Sequence, residues 1–133
     1  MPEPRADDRP VTVLLVDDDP QILRLGQELL QHLGYQVLGA ADGDQAVNLY
    51  EARNPAVDLV ILDFLLPCRD GGQVLRQLRQ FDPQARVIVA SGFFEHRDIE
   101  QLKAAGASGL INKPYRVQEL EEQIKKVLGQ GAG

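Results

Sequence analysis

Apolar residues along this chain change their spacing as it runs. Nearly unbroken apolar runs fill residues 11–16, 59–62, 87–90 and 110–111. They are too short for helices and lack the alternation of a half-exposed sheet, so they predict buried strands. Residues 36–41 predict one more strand, second in chain order. Between strands the apolar positions return every three or four residues: Ile22, Leu25, Leu29 and Leu33, then Ala46, Val47 and Tyr50, then Val74, Leu75, Leu78 and Phe81. Two further sets follow, Ile99, Leu102 and Ala105, and Val117, Leu120, Ile124 and Val127. Each set lines one side of a helix. Five strands alternating with five helices predict an α/β fold with right-handed crossovers, a parallel sheet, and helices on both of its faces.

The breaking residues agree with that division. Pro20 suits a first helical turn with Asp19 as its N-cap, and Gly34 offers the stop. Asp42-Gly43 marks a turn, Asn54-Pro55 ends the second helix, residues 67–72 form a loop, and Asp82-Pro83 breaks the third helix. Residues 106–109 return the chain to the fifth strand. The Pro-containing, charged stretch 1–10 reads as a disordered leader, 11–128 as one domain, and the glycine-rich 129–133 as a flexible tail. A chain of 133 residues is long enough to bury a single core without a staple.

Composition narrows the possible functions. No apolar run reaches the length of a membrane span, and the polar N-terminus lacks the apolar centre of a secretory signal. The one cysteine, Cys68, cannot form an intrachain disulfide, which fits the cytoplasm. A net charge of −6 with no basic cluster argues against direct binding to nucleic acid. A phosphate-handling protein this acidic needs a cation to offset repulsion of the incoming group.

Candidate chemistry collects at the strand ends. Asp17-Asp18-Asp19 follows the first run, Asp63 the third strand, Ser91 the fourth and Lys113-Pro114 the fifth. An open parallel sheet binds ligands at that carboxyl edge. Asp63 closes an otherwise apolar strand, where a carboxylate is costly unless exposed and used, so it is the candidate nucleophile; a turn or cap acid is the alternative. Asp17 and Asp18 offer oxygen ligands for Mg²⁺, and crowding among the acids should raise at least one of their pKa values. Lys113 can aim an ammonium at the carboxylates and at phosphoryl oxygens. Ser91 can donate to a phosphoryl group or simply cap its own turn. His32, His96 and Cys68 lack the spacing or neighbours for metal or thiol chemistry, and Phe93-Phe94 reads as either a core cap or a docking point.

The segments Leu14-Leu15-Val16-Asp17-Asp18-Asp19-Pro20, Leu59-Val60-Ile61-Leu62-Asp63-Phe64-Leu65-Leu66-Pro67, Asp70-Gly71, Val87-Ile88-Val89-Ala90-Ser91-Gly92 and Asn112-Lys113-Pro114-Tyr115 together resemble the receiver domain of two-component response regulators. The resemblance implies a flavodoxin-like, doubly wound sheet in the order 2-1-3-4-5 and a cis bond between Lys113 and Pro114. It implies that Asp63 accepts a phosphoryl group from a histidine kinase or histidine phosphotransfer protein, assisted by Ser91 and Lys113. Asp18, Asp63 and the Leu65 backbone carbonyl would be direct ligands of Mg²⁺, with Asp17 acting mainly through water. The fourth helix, fifth strand and fifth helix would then change affinity for a downstream protein. Such a domain is a signalling module rather than an enzyme, aiding only its own phosphorylation and dephosphorylation, and is a monomer or weak homodimer. It is either a stand-alone regulator or part of a longer protein.

Two departures from the family pattern stand out. Leu110 occupies the place of a switching aromatic, three residues before the lysine. Leu65 and Phe93, two residues after Asp63 and Ser91, replace side chains that influence water near the acyl phosphate. Other readings remain. A haloacid-dehalogenase-like phosphatase would use Asp17 and Asp19, with Lys113 as its lysine, but leaves Asp63 unexplained in a short chain. An interaction module that has lost phosphorylation would have no need of the full set of site residues. Dinucleotide binding would require glycines where the first turn has aspartates.

Overall fold

The computed structural model describes residues 10–53, 55–67 and 69–132. Ten elements alternate along them. The first half holds β1 (Thr12–Val16), α1 (Pro20–His32), β2 (Gln36–Ala40), α2 (Gly43–Ala52) and β3 (Leu59–Asp63). The second holds α3 (Gly71–Phe81), β4 (Val87–Ser91), α4 (His96–Ala104), β5 (Gly109–Asn112) and α5 (Val117–Ala132). All strand pairs are parallel, in the order β2-β1-β3-β4-β5. This is the flavodoxin-like arrangement. Because β1 lies between β2 and β3, the winding reverses there, and a crevice opens at the carboxyl ends of β1 and β3.

Strand alternation divides the core in two. Leu14, Val16, Val60, Leu62, Val87 and Val89 pack with Val74, Leu75 and Leu78 of α3 and Leu102 of α4 on one face. Val13, Leu15, Leu59, Ile61 and Ile88 pack with Leu30 of α1 and Leu120, Ile124 and Val127 of α5 on the other. With β1, β3 and β4 buried along their whole lengths, an acid at a strand end has apolar packing behind it and water only in front.

Helix starts follow the expected chemistry. Asp19 caps α1, its Oδ1 accepting from the Gln21 N–H at 2.9 Å, and Asp42 caps α2, accepting from Gln45 at 2.8 Å. Asp70 caps α3 through the Gln73 N–H at 2.9 Å, so that helix starts at Gly71, inside the loop expected through residue 72. Gly34 has φ 101°, the left-handed turn that stops α1. The α2 stop is Arg53, at φ 54°; Asn54, expected there, lies outside the described residues.

The stripe Ile22, Leu25, Leu29 and Leu33 lies along α1 as its spacing predicts, and Leu29 packs against the core, but Leu30 is the helix's one fully buried residue, while Ile22 is 45% and Leu25 67% exposed. At Gly26 a Cβ would come within 2.6 Å of Leu15 Cδ2, so α1 approaches β1 closely through Gly26, one turn before the buried Leu30. Helix α5 continues to Ala132, past the Gly129 expected to begin a tail. Glycine costs a helix about 1 kcal/mol relative to alanine without ending it. The expected leader at 1–9, Cys68 and Gly133 lie outside the described residues.

Candidate functional site

Strand register places the polar residues in steps across the sheet. Val16 pairs with Leu62, so Asp17 and Asp63 emerge side by side one residue later. Asp63 pairs with Ala90, and Ser91 pairs with Asn112, which sets Lys113 just beyond the end of β5. The Lys113 N–H donates to Ser91 O at 2.8 Å, and the Lys113-Pro114 peptide is cis.

Three carboxylates meet in the crevice. Oxygens of Asp17, Asp18 and Asp63 all lie within 4.8 Å of one another, Asp17 and Asp63 buried and Asp18 exposed. Lys113 Nζ donates to Asp17 Oδ2 at 2.8 Å and stands 3.5 Å from Asp63 Oδ1. The other Asp17 oxygen accepts from the Asp19 N–H at 2.9 Å. Asp17 is thus engaged on both oxygens, and Asp63 shares the Lys113 ammonium with it. Hard oxygens around a partly open space suit Mg²⁺, which retains waters and takes few protein carboxylates.

Burial, rather than crowding, is the first cause of the electrostatics. Desolvation raises the Asp63 pKa above the ordinary carboxylate range, Lys113 opposes it, the charge of Asp17 adds to it, and the nearby Leu65 backbone lowers it. For Lys113, burial pulls the ammonium down, but the hydrogen bond to Asp17 and the charges of Asp63 and Asp17 outweigh it, and the net direction is up. Both effects describe a site in which the Lys113 ammonium is already shared between two acids.

Ser91 is buried at the strand end, but its hydroxyl is used locally, donating to Phe93 O at 2.9 Å and accepting from the Phe93 N–H at 3.2 Å. The aromatic pair is split: Phe94 is partly buried against Phe64, ring centroids 6.0 Å apart, while Phe93 is 75% exposed. Leu65, 68% exposed, is the other exposed large apolar group among the described residues of the loops after Asp63 and Ser91. Leu110 packs against the core, and its carbonyl accepts from Gln123 Nε2 at 3.4 Å. His96 opens α4 and lies 3.4 Å from Glu100, far in role from any metal cluster.

Sequence reading missed two features here. An apolar groove of about 530 Å³ runs beside the site, between Ile22, Leu25 and Leu29 of α1 and Pro114 and Tyr115 after β5, with Lys113 and Gly92 at its edge. The second is Arg69, which bridges α2 and α3 above the loop after β3. The groove's signal was an apolar α1 stripe opposite a Pro-Tyr pair; Arg69 had none, being one arginine in a loop.

The geometry agrees with what the chain is similar to. Residues 13–125 match the family described as the response regulator receiver domain. Protein CcdB of Bacillus subtilis (strain 168) is 35% identical over 121 residues, covering 90% of this chain and 99% of that one. Sporulation initiation phosphotransferase F of the same organism is 34% identical, covering 87% and 92%. A CheY from Borrelia burgdorferi, crystallised with CheX, BeF₃ and Mg²⁺, superposes with a TM-score of 0.85 at 29% identity, covering 92% of each chain. The phosphatase alternative finds no support, since Asp17 is held by Lys113 and Asp19 is spent on capping α1. Strand order, the aspartate crevice and the matched residues lead to one conclusion: the chain belongs to the response regulator receiver domain family of two-component phosphorelay signalling.

Proposed function

We propose that this domain takes a phosphoryl group from a phosphohistidine of a kinase or phosphotransfer protein onto Asp63, with Mg²⁺, and passes the change to a downstream protein. The observation that carries this reading is the meeting of Asp17, Asp18 and Asp63 within 4.8 Å, with Lys113 bonded to the first and 3.5 Å from the last. Asp18, Asp63 and the Leu65 carbonyl would hold the ion, with Asp17 reaching it through water. The ion supplies positive charge that offsets the acids and the phosphoryl oxygens.

In the transfer, an Asp63 oxygen forms a bond to phosphorus as the bond from phosphorus to the histidine nitrogen breaks, and that electron pair returns to the imidazole. Lys113 moves from bridging two carboxylates to contacting a phosphoryl oxygen, and the Ser91 hydroxyl exchanges Phe93 O for another. Contact at β5 is where the face of α4, β5 and α5 is biased, with Leu110 and Gln123 rather than an aromatic at its centre. The apolar groove beside Lys113 suits the donor, because a protein presenting its histidine to Asp63 must rest on the adjoining surface. Among the described residues no helix is long and apolar enough to cross a membrane, and a cytoplasmic location goes with a kinase-borne donor.

Incubation with Mg²⁺ and acetyl phosphate, followed by intact mass and peptide mapping, tests the assignment. One phosphoryl adduct on Asp63 is expected, absent in Asp63→Asn because an amide is a far poorer nucleophile. Unchanged incorporation in that variant overturns the acceptor assignment.

A further inference from the structure

The loop 64–70 follows Asp63 and carries Leu65, whose backbone lies close enough to the Asp63 carboxylate to lower its pKa. Its base is closed by backbone: the Phe64 N–H donates to Ala90 O at 2.8 Å, and the Gly71 N–H donates to Phe64 O at 2.7 Å. That closure is tight, for a Cβ on Gly71 would fall 2.8 Å from Phe64 Cα. Among the described residues of the tip, 65–67 and 69–70, no backbone hydrogen bond to the sheet is seen. The tip's tie comes from Arg69, whose Nη1 donates to Asp44 Oδ1 at 2.9 Å in the first turn of α2 and whose Nη2 donates to Gln77 Oε1 on α3. The stem of Arg69 lies along Gly43, where a Cβ would meet its Cδ at 3.7 Å. Among the described residues of this loop, Arg69 is the one whose side chain hydrogen-bonds α2.

An exposed ion pair alone contributes little to stability. A planar fork held at both ends does more for position, because its two arms fix the direction in which the loop leads into α3. Position matters here, since a backbone ligand cannot be moved by choosing another rotamer; it is only as well placed as its loop. We propose that Arg69 is a positioning residue for the cation site: its fork between Asp44 and Gln77 holds the loop so that Leu65 stays registered on Asp63. This rests on the reading of Asp63, Asp18 and the Leu65 carbonyl as the Mg²⁺ set.

The full chain is titrated with Mg²⁺ by calorimetry, and hydrogen exchange of residues 64–70 is followed separately in metal-free buffer. Arg69→Met keeps the stem over Gly43 and removes the fork, so the fold survives while Mg²⁺ affinity falls about tenfold, the order seen when partners behind a metal's ligands are removed. The Leu65 amide exchanges faster in the same variant. Arg69→Lys retains charge but not the two-armed geometry and shows the same direction of change. Asp44→Asn weakens binding less, and adding it to Arg69→Met changes nothing further, as expected of groups acting together. Parent-like Mg²⁺ affinity in Arg69→Met, or full recovery by Arg69→Lys, overturns the positioning role. A parent chain that binds no Mg²⁺ overturns the functional reading itself, and the parent curve alone reveals it.

Discussion

Asp63 is a carboxylate whose ionisation the surrounding fold opposes. Its pKa is raised, with burial the main cause, so the native state binds its proton more tightly than the unfolded chain does. Stability from this group is therefore fully present at pH below the ordinary carboxylate range and declines as pH rises through its raised native value. Asp63→Asn should raise the melting temperature in metal-free buffer near neutral pH by a few degrees, on the order expected for about 1 kcal/mol. The advantage should shrink toward pH of about 4 and below, where the parent is protonated as well. Scanning calorimetry across pH checks the sign: a gain that grows on acidification contradicts it. Leu65 and Phe93 make a second residue-scale prediction, since their exposed apolar groups cannot orient a water in line with the acyl phosphate. Phosphate release from the purified phosphoprotein should be slow, and faster by on the order of tenfold when Leu65 becomes Asn or Phe93 becomes Glu. Decay within seconds in the parent, or no acceleration in either variant, refutes that role. Asp17, Asp18, Asp63 and Lys113 were legible because each breaks an apolar run at its end. The working bond of Ser91 was not, because a hydroxyl can serve its own turn or a ligand with the same neighbours in sequence.

Helix α1 shows what periodicity can and cannot give. A pattern of Ile22, Leu25, Leu29 and Leu33 marks an amphipathic helix, and the helix is there, yet its one fully buried residue is Leu30, a turn after Gly26 approaches Leu15. A glycine carries no hydrophobicity for a pattern to register, so the close approach of α1 to Leu15 at Gly26 was invisible in it. Ile22, Leu25 and Leu29 of the stripe form one wall of the groove beside Lys113. Leu25, 67% exposed on that wall, is the residue to test. Leu25→Glu should leave the melting temperature nearly unchanged and phosphorylation by acetyl phosphate intact, because neither depends on the groove. Transfer from a phosphohistidine protein should fall roughly tenfold, the effect of about 1.4 kcal/mol lost at an interface. Equal losses with both donors would place the defect in the acidic site instead, and no loss with either would remove the groove from the donor's path.

Across the whole molecule, alternation of strand and helix was enough to give the number and sequence of elements, but not the order β2-β1-β3-β4-β5, which came from motif resemblance. Alternation is a local property, whereas strand order depends on which face each helix covers. That order is what brings Asp17 and Asp63, forty-six residues apart, to adjacent strand ends. It also makes β5 an edge strand with α5 packed beside it, and sets Lys113 between the acids and that edge. The Lys113 backbone is bonded to Ser91 O and its ammonium to Asp17, so a change at Asp63 can reach the end of β5 through one residue. The cation should stay charged well above neutral pH, since its pKa is raised; the stability it adds is complete below the ordinary lysine range and lost as pH rises through the native value. Lys113→Ala should therefore still bind Mg²⁺ but lose the link between phosphorylation and the far face. In the parent, Mg²⁺ with beryllofluoride should shift amide resonances through α4, β5 and α5; in Lys113→Ala the shifts should be confined to the neighbourhood of Asp63. If both proteins show the same pattern across residues 99–128, the signal leaves the site by another route, and the loop after β4 with Ser91 and Phe93 becomes the place to seek it.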